Sequence, residues 1–108
     1  MSFVRACALA DLTPASPLAA DVDGVEVALV RVNDEVYAIQ DECSHAAIAL
    51  SEGDVEGCEI ECWLHGSRFD LRTGKPSGPP ATDPVATYAV RVDGDDVLVD
   101  VTTPLIDD

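Results

Sequence analysis

Two short segments constrain this chain more than anything else in it: Cys43-Ser44-His45 and, after sixteen intervening residues, Cys62-Trp63-Leu64-His65. The chain has only two histidines, and each follows a cysteine with one or two residues between. Two thiolates and two imidazoles make a Cys2His2 metal site, in which soft sulfur and borderline nitrogen favour iron or zinc. A zinc finger normally collects its cysteines in one knuckle and its histidines in the other. Here each knuckle is mixed, which suits a two-iron cluster with both cysteines on one iron and both histidines on the other.

The rest of the chain bounds what can hold such a site. At 108 residues it reads as one domain spanning 1–108, with a modest core. No apolar run approaches membrane-spanning length. The Ala-rich start is broken by Asp11 and Pro14 and carries only Arg5 as a basic flank, so it is not read as a secretory signal, and a cytoplasmic location is expected. The formal net charge of −15, from 21 acidic against 6 basic residues, excludes a nucleic-acid surface. It favours transient partners with basic faces, steered at long range and weakened by salt. Cys7 and Cys58 are expected as buried thiols and not as a disulfide.

Hydrophobic patterning outside the boxes is that of strands. Phe3 to Cys7 reads as a first strand and Pro17 opens a second extended piece. Asp23-Gly24 is a two-residue hairpin turn leading into the β-branched run Val25–Val32. Asn33-Asp34-Glu35 turns the chain into Val36–Gln40. The clearest hairpin joins Ala86–Val92 to Val97–Val101 through Asp93-Gly94-Asp95-Asp96, its second arm alternating Val97, Val99 and Val101 with Leu98 and Asp100. Between about 41 and 80 periodicity disappears, with a short strand pair expected about Glu56-Gly57 and a helical turn over His45–Leu50. The expected fold is an all-β antiparallel sandwich of two or three sheets, with the loops of 41–80 as a cluster-binding subdomain at one end.

The boxes and their flanks, Leu50-Ser51-Glu52-Gly53 and His65-Gly66-Ser67-Arg68-Phe69-Asp70, together with the closing hairpin, resemble the Rieske-type ferredoxins. They are most similar to the ferredoxin subunits of bacterial ring-hydroxylating dioxygenases of the biphenyl and phenylpropionate type. The resemblance implies one 2Fe-2S cluster held by Cys43, His45, Cys62 and His65, with each histidine binding through Nδ1 and leaving Nε2 at the surface. Two histidine ligands in place of two thiolates leave the oxidised site neutral, so reduction is easier than in a four-cysteine cluster. The resemblance places the potential at the low end of the Rieske range, about −150 mV. It also implies a midpoint that falls as pH rises through histidine ionisation.

Several flanking residues acquire roles by the same resemblance. Respiratory Rieske proteins carry an extra cysteine in each box, joined as a disulfide; Ile48 and Leu64 occupy those positions here, so the clamp is absent. Ser67 matches a serine that donates to cluster sulfur, whereas Phe69 replaces a donating tyrosine. Ser77-Gly78-Pro79-Pro80 is similar to a proline loop covering the cluster, and Trp63 stands where proline is common.

Both histidines being committed, no mononuclear iron site can be assembled and no enzymatic activity is expected. Nor is there a dinucleotide fingerprint. The expected role is that of a monomeric one-electron carrier between a flavin-dependent reductase and the terminal oxygenase of an aromatic-ring dioxygenase system, without nucleic acid or membrane partners. The alternative is a stand-alone Rieske ferredoxin serving another redox pathway, such as iron-sulfur assembly. The small subunit of assimilatory nitrite reductase shares the fold but generally lacks the ligands, and a zinc module stands further off.

Overall fold

The computed structural model describes residues 3–14, 16–33, 35–42, 49–63, 66–77 and 84–105. Asp23 and Gly24 both take positive φ, 52° and 85°. That is the pairing a two-residue hairpin needs to match strand twist. They join β2 (Leu18–Val22) to β3 (Val25–Val32) with Val22 opposite Val25. Asn33, also at positive φ, leads from β3 into β4 (Glu35–Gln40). Before them β1 (Val4–Ala8) departs as an edge strand; after them come β5 (Asp54–Glu56), β6 (Glu59–Glu61), β7 (Arg68–Asp70), β8 (Thr87–Asp93) and β9 (Asp96–Leu105).

The described strands form two antiparallel sheets, one in the order β1-β9-β8-β4-β3-β2 and a smaller one in the order β5-β6-β7. The larger sheet curls until its edge strands β1 and β2 approach each other. The antiparallel β architecture expected from the sequence is borne out, and the strand pair about Glu56-Gly57 is β5 with β6. Strand β7, which lies inside the second box, has no counterpart in the elements expected from the sequence. Nor does the sequence mark the buried Asp100, whose carboxylate accepts from the Thr102 backbone N–H. The helical turn expected over His45–Leu50 falls largely outside the described residues, although a 3-10 turn runs Leu50–Glu52.

Strand β3 is buried on both faces, with Val27, Ala28, Leu29 and Val30 all at 0 % exposure. Because side chains alternate along a strand, Val27 and Leu29 pack inside the curl with Cys7, Val22, Ala38, Val97 and Val99. Ala28 and Val30 pack the other way, with Ile39, Leu50, Ile60, Cys62, Phe69 and Leu71. Two cores therefore share β3, and β4 likewise sends Ala38 to one and Ile39 to the other; the second core carries the small sheet. Fully burying a side chain such as Val, Leu, Ile or Phe stabilises by about 1.5–3 kcal/mol, so this second core is what fixes β5-β6-β7 on the larger sheet.

Candidate metal centre

Of the four donors expected from the sequence, the described residues include Cys62. Cys43, His45 and His65 lie outside them, as do Ile48, Leu64 and the Gly78-Pro79-Pro80 segment. Cys62 directly follows β6 and is a free thiol with no exposed surface, packed in the second core. Its backbone closes the loop joining β6 to β7. The Cys62 N–H donates to the Ser67 carbonyl at 2.6 Å, and its carbonyl accepts from the Gly66 N–H at 2.9 Å. Gly66 makes that turn at φ 77°, in the left-handed region that glycine enters without cost. Ser67 and Phe69, singled out from the sequence, are both buried beside this loop; Phe69 pairs across the sheet with Ile60. Trp63 is 54 % exposed, an indole presented to solvent one residue from a buried thiol.

The segment that contains the first box is tied at its root. Asp41, 6 % exposed, accepts from Ser51 twice, its two carboxylate oxygens each 2.7 Å from the Ser51 backbone nitrogen and hydroxyl. The Asp41 N–H in turn donates to the Glu26 carbonyl on β3. Neighbouring Gln40 exchanges bonds with Ala86, donating its backbone N–H at 2.8 Å and accepting from the Ala86 N–H through its side-chain oxygen at 3.2 Å. The segment before Ala86 is anchored by Val85 N–H on the Gly74 carbonyl. Nothing in the sequence marks Asp41, because its link to Ser51, ten positions away, has no periodic signature.

The solvent side of the small sheet is strongly acidic. Asp54 stands directly opposite Glu61, and Glu56 opposite Glu59. Like charges in such cross-strand pairs are destabilising. Arg68 offsets part of this from β7, 3.1 Å from Glu61 and 3.6 Å from Glu56. At the other end of the β5–β6 hairpin, Cys58 is half-buried and not fully buried as expected, because it lines a cavity of about 380 Å³ with Tyr37, Glu35 and Arg72. There the Tyr37 hydroxyl donates to Glu35 at 2.8 Å, which pushes the phenol up to about 12. Cys7 is a free buried thiol, as expected, and its burial raises its pKa.

A buried free cysteine, dry surroundings and a hydrogen-bonded loop root fit a soft metal centre. The comparisons agree with that chemistry. A model of the Rieske [2Fe-2S] domain matches residues 2–89. The chain is 41% identical over 101 residues, 93% of each protein, to the biphenyl dioxygenase ferredoxin subunit of Pseudomonas sp. strain KKS102. It superposes with TM-score 0.88 and 48% identity on the ferredoxin of carbazole 1,9a-dioxygenase from Nocardioides aromaticivorans IC177, covering 92% of this chain and 97% of that one. A ferredoxin-oxygenase complex of carbazole 1,9a-dioxygenase matches with TM-score 0.84 and 36% identity, covering 90% of this chain and 91% of the matched chain.

Proposed function

We propose, from the premise that this chain belongs to the Rieske [2Fe-2S] domain family, that it is the ferredoxin component of an aromatic-ring dioxygenase system. It carries a Rieske-type 2Fe-2S cluster and transforms no substrate itself. The observation that supports this reading most directly is Cys62: a fully buried free thiol at the root of a hydrogen-bonded loop, in a chain similar to dioxygenase ferredoxins over 93% of its length.

In this reading Cys43 and Cys62 hold one iron and His45 and His65 the other, within a single domain spanning 1–108 whose subdomain covers about 41–80. A cluster held by these residues would supply one-electron chemistry, at a potential that the histidine donors would keep above that of four-cysteine clusters. The protein's own residues do the rest. Leu50, Ile60, Phe69, Leu71 and Val85 enclose Cys62 in apolar packing and keep water from it. The backbone bonds among Cys62, Gly66 and Ser67 fix the second loop, so little reorganisation accompanies a change of charge. A flavin-dependent reductase supplies the electron and a terminal oxygenase takes it, each in a transient encounter with a cytoplasmic monomer. Among the described residues no helix is long and apolar enough to cross a membrane.

Aerobic purification tests the reading, followed by an absorption spectrum and electron paramagnetic resonance after dithionite reduction. The expected result is a coloured protein with two irons and a Rieske signal that His45→Ala or His65→Ala abolishes. A colourless protein with stoichiometric zinc, or a signal indifferent to either substitution, overturns it.

A further inference from the structure

We propose that Asp41 and Ser51 form a charged clamp at the root of the first ligand loop, setting both how firmly the cluster is held and how readily it is reduced. The inference rests on the functional reading above and goes beyond the four ligands. Asp41 lies two residues before Cys43, and Ser51 six residues after His45. Between them runs the whole segment that contains both donors of the first box.

Geometry and electrostatics both point to this role. Both oxygens of Asp41 are engaged by the same residue, the backbone N–H and the hydroxyl of Ser51, each at 2.7 Å. Bonds of this length to an ionised acceptor are at the strong end of the protein range. Asp41 is itself pinned through its N–H to the Glu26 carbonyl of β3, so the clamp ties the segment's two ends to a strand that contributes to both cores. Closing those ends in advance removes chain entropy that the ligands would otherwise have to offset. The carboxylate is buried at 6 % exposure, and no ion pair among the described residues neutralises it. A buried negative charge two residues from a ligand opposes the arrival of an electron, and burial limits the screening of that opposition.

Two substitutions separate these effects. Asn at position 41 can still accept the Ser51 N–H through its amide oxygen and donate to the Ser51 hydroxyl, so Asp41→Asn removes the charge and retains the clamp. Ser51→Ala removes one bond of the clamp and leaves the charge. Each is purified with its cluster, checked by absorption and paramagnetic resonance, titrated for midpoint potential and timed for iron release to a chelator. The expected results are a positive shift of midpoint in Asp41→Asn with near-normal iron release, and release about tenfold faster in Ser51→Ala, with its midpoint close to that of the parent. Ser51→Thr, which keeps the hydroxyl, is expected to restore slow release. A midpoint unmoved in Asp41→Asn, or release unchanged in Ser51→Ala, overturns the proposal while a loaded parent protein leaves the functional reading standing. A parent protein that holds no cluster overturns both.

Discussion

Phe69 joins the sequence reading to the structure at the smallest scale. It has no exposed surface, pairs with Ile60 across the small sheet and packs in the same group as Cys62. A hydroxyl added there enters the dry surroundings of the centre, where a donor to sulfur stabilises the reduced form. Phe69→Tyr is therefore expected to raise the midpoint potential in a redox titration. A lowered melting temperature without that rise means the hydroxyl found no acceptor, a burial cost of about 1–3 kcal/mol. Tyr37 offers a second test. Its bond to Glu35 raises the phenol from 10 to about 12 in the folded protein. A raised pKa contributes stability that is fully present below pH 10 and lost as pH climbs towards 12. Phenolate absorbance should therefore show the Tyr37 step well above the ordinary range, and Glu35→Gln should bring it down.

The two Cys/His segments could be proposed as ligand boxes from the sequence because four donor side chains in fixed order admit few chemistries. The Asp41–Ser51 clamp could not, because nothing local distinguishes an aspartate that bonds ten residues away from one that is solvated. Elements divide in the same manner. Strands β2, β3, β4, β8 and β9 were readable from β-branched runs and from turn pairs such as Asp23-Gly24. Strand β7 has three residues, Arg68–Asp70, too few to display a period, and it is a strand by virtue of its pairing with β6 on one side and the Phe69–Pro76 bridge on the other.

That small sheet depends on close approaches as well. A side chain at Gly53 would overlap the carbonyl oxygen of Glu61 on β6, so the backbone itself packs there. Gly53→Ala is expected to cost about 1–3 kcal/mol through the forced shift, read as a lower denaturation midpoint. Arg68 bridges Glu56 and Glu61 across opposed carboxylates. Arg68→Gln is expected to destabilise by up to about 1 kcal/mol at low salt and by less as added salt screens the remaining repulsion, in paired denaturation curves.

For the molecule as a whole, a net charge of −15 acts before contact. Association with a basic redox partner should slow steeply as ionic strength rises, measured by stopped-flow electron transfer, because the steering field decays over about 10 Å at 0.1 M salt. Trp63, at 54 % exposure, offers an uncharged aromatic surface, which we propose contributes short-range contact with a partner. Trp63→Ala should weaken the complex chiefly by faster dissociation and leave the salt slope nearly unchanged.

Strand β3 reaches into both interiors, since its central residues Val27–Val30 are buried on both faces. Val27 and Leu29 belong to one interior and Ala28 and Val30 to the other, so the two interiors are expected to melt together. On heating, the loss of iron colour and the loss of strand circular dichroism should then trace a single curve, the electron carrier bleaching and unravelling as one event.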